Sequence, residues 1–142
     1  MSSGSCDQYI LQIEDNPDDV ELTKLAHKKS QISNRMEVVS DGEEALDFLF
    51  CRGEYAGKDP DDFPAIILLD LKLPRVDGLE VLKQIRTDKR TQHIPVVVLT
   101  SSMEENDQSE SSRLGANGYI RKPTGLTPLI GILHQIKVNW LR

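Results

Sequence analysis

One apolar stretch, Ile66 to Leu69, constrains the fold of this chain more than any other because it ends directly on a carboxylate, Asp70. An apolar run without polar alternation is typical of a strand buried on both faces, as in a parallel sheet covered by helices. Asp70 would then lie at the carboxyl end of its strand, where ligands bind in open α/β sheets. An Asp can also cap the next helix, but the loop from Pro74 to Gly78 separates Asp70 from any helix that follows. The stretch therefore predicts a functional acid at the edge of a buried sheet.

The composition is that of one globular domain. The 142 residues are 38% hydrophobic and 28% charged, as in ordinary soluble proteins, so we expect a single domain over residues 1–142, no output domain, and a flexible lead-in over residues 1–7. A net charge of −6 disfavours nucleic acid, which needs a clustered basic surface. No stretch approaches the ~20 apolar residues that span a bilayer, and the first residues carry no signal pattern. Cys6 and Cys51 are too few for a disulfide framework. We expect a cytoplasmic protein with no direct nucleic acid or membrane partner.

Short strands alternate with helical patterns along the chain. Strands are predicted at 9–13, 35–40, 66–69, 96–99 and 118–121, and helices at 17–30, 41–50, from 78, 103–114 and from 127 through Trp140. A polar loop over residues 53–64 is longer than the ~2–6 residues usual between a helix and a strand. This alternation implies a parallel sheet with right-handed crossovers and helices on both faces. The pattern leaves the strand order open.

Four predicted strands end on groups capable of chemistry, namely Glu14-Asp15, Asp70, Thr100 and Lys122. Parallel strands present their carboxyl ends at one edge, so these side chains should converge although they lie far apart in sequence. Three carboxylates against one ammonium would be an unfavourable concentration of like charge unless a cation neutralises it. Mg²⁺ suits oxygen ligands of this kind best.

Together these groups suit phosphoryl transfer. A carboxylate can be a nucleophile that forms an aspartyl phosphate, and the reaction needs alignment and charge stabilisation on the phosphoryl oxygens. Mg²⁺ could hold one oxygen, Lys122 a second, and the Thr100 hydroxyl with nearby N–H groups a third. Taken singly, Asp15 could cap a helix, Thr100 could simply favour a strand, and Lys122 could be a surface lysine. Their joint placement is what indicates a site.

Four motifs carry a resemblance to a known family: 13–16 (Ile-Glu-Asp-Asn), Leu69 to Gly78, Pro95 to Ser101 and Gly115 to Pro123. In order and spacing, over 8–141, the sequence resembles a CheY-like receiver domain of a two-component response regulator. The resemblance implies a flavodoxin-like (βα)5 fold whose parallel sheet has the order 2-1-3-4-5.

The resemblance also implies roles for the site residues. Asp70 would accept a phosphoryl group from a histidine kinase, and Lys122 and Thr100 would contact that group. A cis peptide bond would join Lys122 and Pro123. Position 14 is a departure, since the family more often has a second Asp there. The implied ligands of Mg²⁺ are Asp15, Asp70, the carbonyl of Lys72 and, through a water, Glu14.

A narrower resemblance concerns the partner. The extended loop over residues 53–64, and the absence of a segment after the fifth helix, resemble the small stand-alone regulators that pair with cyanobacterial and bacterial phytochrome kinases. This implies a phytochrome-type histidine kinase as the cognate partner.

The family's switch implies how a signal would leave the site. A phosphoryl group would recruit the Thr100 hydroxyl, and Tyr119 would turn into the vacated space and reshape the surface of the fourth helix, fifth strand and fifth helix. That surface would bind a partner or a second copy, since the last helix is rich in apolar residues and Trp140-Leu141 lies near its end. Lys72 and Ser102, each two residues past a site residue, should border the entrance for hydrolytic water and tune autodephosphorylation.

Competing interpretations differ at single positions. A Mg²⁺-dependent phosphohydrolase typically needs a second acid two residues after its Asp nucleophile, where this chain has Lys72. A pseudo-receiver that binds partners without phosphorylation normally lacks one of the acids or the lysine. A dinucleotide-binding domain needs a Gly-rich turn after its first strand, where this chain has 14–17 (Glu-Asp-Asn-Pro). The alternative for Tyr119 is ordinary packing within its strand. The sequence predicts a phosphoacceptor signalling protein rather than an enzyme.

Overall fold

Strands and helices alternate along the chain in the computed structural model, which describes residues 8–102, 104–122 and 125–141. The strands are β1 (Ile10–Ile13), β2 (Met36–Val39), β3 (Ile66–Leu69), β4 (Val96–Thr100) and β5 (Gly118–Arg121), and the helices are α1 (Pro17–Lys29), α2 (Gly42–Phe50), α3 (Gly78–Thr87), α4 (Glu105–Arg113) and α5 (Leu126–Trp140). All pairs are parallel, in the order β2-β1-β3-β4-β5. The predicted flavodoxin-like fold and strand order are confirmed. The predicted lead-in and the Lys122-Pro123 peptide bond lie outside the described residues.

Two apolar clusters cover the two faces of the sheet. On β4, Val96 and Val98 lie in one cluster and Val97 and Leu99 in the other, as the alternation of side chains along a strand requires. Helices α2 and α3 cover the first cluster, and α1 and α5 cover the second. Because β3 and β4 are buried along their whole length, they read in the sequence as continuous apolar runs. Among the described residues, no helix is both long and apolar enough to cross a membrane.

Other residues take the helix caps that Asp70 and Asp15 could have formed. Asp77 caps α3 and Asn16 caps α1, each by accepting a hydrogen bond from a backbone N–H two or three residues later. The start of α3 also packs so closely on the chain after β3 that a Cβ at Gly78 would overlap the carbonyl oxygen of Asp70. The backbone that carries Asp70 is thus fixed by the helix that follows it.

Helix α4 contains no apolar residue from Glu105 to Arg113. It begins two residues later than the predicted start at 103. Its buried residues are Asp107 and Ser111, which lie one turn apart on one face of the helix. Within its own length, the residues that α4 turns inward are therefore polar.

The predicted loop over residues 53–64 folds back on α2. It contains a one-turn 3-10 helix, Gly53–Tyr55. Tyr55 donates its hydroxyl to Glu44 at 2.6 Å, and the Lys58 ammonium lies 4.8 Å from the ring centroid of Phe48. These contacts make the long connection a packed extension of the α2 side of the sheet.

Candidate functional site

The side chains predicted at strand ends meet at the carboxyl edge of the sheet. Glu14 follows β1, Asp70 follows β3, Thr100 ends β4 and Lys122 follows β5. Glu14, Asp70 and Thr100 are buried, with 2%, 5% and 0% of their surface exposed. Because the strands are parallel, Lys122 and Glu14 come within hydrogen-bonding distance although they are 108 residues apart.

The two carboxylate oxygens of Asp70 have different partners. Oδ1 accepts hydrogen bonds from the Thr100 hydroxyl at 2.8 Å and from the backbone N–H of Lys72 at 3.0 Å. Oδ2 accepts from the Lys122 ammonium at 3.1 Å. These donors offset the cost of burying the carboxylate and fix its orientation.

Lys122 is shared among three carboxylates. Its Nζ donates to Glu14 Oε1 at 2.6 Å, Asp19 Oδ2 at 2.8 Å and Asp70 Oδ2 at 3.1 Å, and its side chain is only 8% exposed. Burial lowers the pKa of Lys122, but the hydrogen bonds to Asp19 and Glu14 and the charge of Asp70 together raise it above its usual value. Lys122 is therefore a fixed positive charge at this edge of the sheet.

The surroundings of Glu14 favour its neutral form, whereas those of Lys122 favour its charged form. Burial raises the pKa of its carboxyl to about 7; the hydrogen bond from Lys122 acts to lower it, and the charge of Asp70 acts to raise it further. Its Oε2 also accepts a hydrogen bond from the backbone N–H of Asn16 at 3.2 Å. Near neutral pH, a cation that binds Glu14 has to compete with a proton.

Glu14, Asp15 and Asp70 form a candidate site for a divalent cation. One carboxylate oxygen from each lies within 4.8 Å of the others. These oxygens are close enough together for one cation to be held by all three side chains. The oxygen-only donor set suits a hard cation, and the exposed Asp15 opens the site to solvent.

The backbone and the side chain of Lys72 belong to different networks. Its N–H donates to Asp70, whereas its Nζ lies 3.4 Å from Asp107 Oδ2, and the Asp107 carboxylate raises the pKa of Lys72. Asp107 also accepts a hydrogen bond from the Ser102 hydroxyl at 2.5 Å. The backbone N–H of Ser102 donates in turn to Thr100 Oγ1 at 3.2 Å. Lys72, Ser102 and Asp107 thus connect the loops after β3 and β4 with α4, and we call these three residues the polar latch.

Tyr119 lies on the same face of the sheet as Thr100. It is paired with Val98, two residues before Thr100 on β4, and its ring packs against the apolar cluster under α2 and α3. Its hydroxyl is buried and has no hydrogen-bond partner within the described part of the chain. Tyr119 also lines a cleft with Gln108 and Ser111 of α4, so it lies between the site and the α4–β5 surface.

A family model described as the response regulator receiver domain matches residues 10–134. The chain belongs to the response regulator receiver family. Response regulator Rcp1 of Synechocystis sp. is 39% identical to this receiver domain over 134 residues, which are 94% of this chain and 89% of Rcp1.

Two solved structures extend the comparison to this receiver domain's fold. The Mn²⁺-bound form of Rcp1 is 38% identical to this chain and has a TM-score of 0.83, and the match covers 95% of each chain. The phosphorylated cyanobacterial phytochrome response regulator RcpA is 40% identical, covers 94% of both chains and also has a TM-score of 0.83. The predicted resemblance to phytochrome-associated response regulators is confirmed.

Sequence reasoning missed two acids of this receiver domain, Asp19 and Asp107. In the sequence, Asp19 looks like an ordinary acid in the first turn of a helix, where it favours the helix dipole. However, α1 begins at the edge of the sheet that carries the site. An acid in its first turn is therefore close enough to contact the site, and this position was the signal in the sequence. For Asp107 the signal was α4 itself, because a helix without apolar residues has to turn polar ones inward.

Proposed function

We propose that this receiver domain accepts a phosphoryl group from a histidine kinase onto Asp70, with Mg²⁺ as its cofactor. The observation that carries the proposal is the buried Asp70 carboxylate, which is held by a hydroxyl, an ammonium and a backbone N–H beside the acids Glu14 and Asp15. Formation of an aspartyl phosphate asks a protein for this alignment and this charge stabilisation.

In the proposed transfer, an Asp70 oxygen forms a bond to phosphorus while the bond from phosphorus to the donor breaks and its electron pair leaves with the donor. Oδ2 is the better candidate for attack, since its contact is with Lys122, whose ammonium can move onto a phosphoryl oxygen. The Thr100 hydroxyl would donate to another phosphoryl oxygen. When bound, Mg²⁺ would neutralise charge on the phosphoryl oxygens. Its proposed ligands are Asp15, Asp70, the Lys72 carbonyl and, through a water, Glu14.

We further propose a phytochrome-type kinase as the phosphoryl donor. The support is similarity along nearly the whole chain to Rcp1 and to the phytochrome response regulator RcpA. In this role the protein is a phosphoacceptor that passes on a signal.

The direct test is phosphorylation by a small donor. Incubation with acetyl phosphate and Mg²⁺ should add one phosphoryl group that is stable to acid, labile to base and detectable by mass spectrometry. The Asp70→Asn variant should not acquire it, because an amide is not a nucleophile for this reaction, and removal of Mg²⁺ with a chelator should also prevent it. An unmodified wild-type protein would instead favour a pseudo-receiver.

We propose that the output surface is formed by α4, β5 and α5, and that phosphorylation modulates binding of a partner or of a second copy there. The contact of Tyr119 with both the sheet and the α4 cleft supports this route. On α5, Val138 is 77% exposed and available for such contacts, whereas Leu141 is only 8% exposed. Leu141 therefore packs into the core, and Val138 is the side chain that we propose for such contacts.

Replacement of Tyr119 with Ala should leave phosphorylation intact but remove the change in mass that light scattering detects when beryllium fluoride, a phosphoryl mimic, is added with Mg²⁺. The large ring would no longer transmit the movement of Thr100. Tyr119→Phe keeps the ring and loses only the hydroxyl, which has no hydrogen-bond partner among the described residues, so it should behave like the wild type. A full response in Tyr119→Ala would remove this residue from the switch, and an unchanging wild-type mass would refute self-association.

A further inference from the structure

Asp19 is an acid of the site that the proposed phosphoryl and cation chemistry leaves without a role. It lies in the first turn of α1, and its Oδ2 is 2.8 Å from the Lys122 ammonium. Glu14 and Asp70 also contact this ammonium, but both belong to the candidate cation site. When a cation and a phosphoryl group occupy Glu14 and Asp70, Asp19 is the carboxylate that still contacts Lys122.

The hydrogen-bonding capacity of Lys122 is already fully used. An ammonium has three N–H donors, and Lys122 faces the carboxylates of Glu14, Asp19 and Asp70. It can donate to a phosphoryl oxygen only by loosening one of these contacts. The Asp19 side chain is 32% exposed, so water keeps it solvated whether or not it holds the lysine. Its negative charge would also repel a phosphoryl group bound at Asp70.

We propose that Asp19 is a positioning residue that competes with the phosphoryl group for the Lys122 ammonium, and thereby limits how tightly the site holds that group. The inference rests on the proposed function, because it assumes that Lys122 contacts a phosphoryl group on Asp70. Asp19 touches neither the acceptor carboxylate nor the reacting atoms in this role, and acts through the lysine.

The test is the affinity for beryllium fluoride in the presence of Mg²⁺, measured by fluorine NMR titration. Asp19→Asn should bind the mimic roughly three- to tenfold more tightly than the wild type, which is the range for loss of a partly exposed ion pair and of one repulsive charge. Asp18→Asn is the matched control, since Asp18 lies in the same helical turn and is exposed. It removes the same charge without a contact to Lys122 and should match the wild type.

A variant that keeps the charge separates a specific effect of Asp19 from a general one. Asp19→Glu keeps a carboxylate near Lys122 and should restore wild-type affinity, which a merely structural role of the residue would not predict. Equal affinities in Asp19→Asn and Asp18→Asn would overturn the inference, as would weaker binding in Asp19→Asn. A wild-type protein that binds no mimic and accepts no phosphoryl group would instead overturn the proposed function itself.

Discussion

Replacement of Lys122 with methionine should slow phosphorylation of Asp70 by acetyl phosphate by about 10²–10³-fold, the usual cost of removing one donor that stabilises transition-state charge. Methionine has nearly the length of lysine but cannot donate a hydrogen bond, and Lys122 is the cation within 3.1 Å of Asp70 Oδ2. The measurement is the initial rate of phosphoryl incorporation with Mg²⁺ in excess. Lys24→Met removes the same charge from an exposed position on α1 and should match the wild type.

The same variant should bind divalent cations more tightly than the wild type. Loss of the ammonium leaves the buried carboxylates of Glu14 and Asp70 without their counterion, and a cation then relieves more repulsion when it binds. A metal titration of the Lys122→Met variant therefore separates a missing donor from a damaged fold. Slow phosphorylation together with weaker cation binding would show a disrupted site and would not support the assigned role of Lys122.

The residues at the strand ends could be predicted to lie together because a single rule of sheet geometry brings them to one edge. Parallel strands share a carboxyl edge, so Asp70, Thr100 and Lys122 had to converge wherever the strand order put them. The rule does not specify which way a helix is rotated about its axis. Asp19 and Asp107 reach the site from helices, and their contacts depend on that rotation, which is set by packing over the whole domain. Strand pattern alone could not reveal them.

The polar latch gives α4 an unusual dependence on the site. Most amphipathic helices are held by an apolar stripe, but the buried residues of α4 are Asp107 and Ser111. Asp107 is held by Ser102 and Lys72, whose backbone N–H groups donate to Thr100 and Asp70 respectively. A shift of Thr100 or Asp70 towards a phosphoryl group would therefore act on the contacts that hold the helix. We propose this connection as the physical basis for rate tuning by Lys72 and Ser102.

Replacement of Asp107 with alanine should raise the amide hydrogen-exchange rates of α4 by roughly tenfold or more, because an unsatisfied buried partner costs about 1–3 kcal/mol. The Ser102 hydroxyl loses its acceptor, and the Lys72 ammonium loses its nearer charge partner and retains the Glu104 carboxylate at 3.8 Å. The rate of autodephosphorylation should then change more than the rate of phosphorylation, since we propose that Lys72 borders the entrance for hydrolytic water.

Asp107→Asn separates the two contributions of this carboxylate. The amide oxygen can still accept the Ser102 hydroxyl, so exchange in α4 should stay slow, but the charge that holds Lys72 at 3.4 Å is gone. The rate of autodephosphorylation should therefore change in the Asn variant although the amide exchange rates of α4 do not. Glu105→Ala, at an exposed position of the same helix, should alter neither quantity. If exchange in α4 is the same in Asp107→Ala as in the wild type, other contacts hold the helix, and phosphorylation cannot reach it through the polar latch.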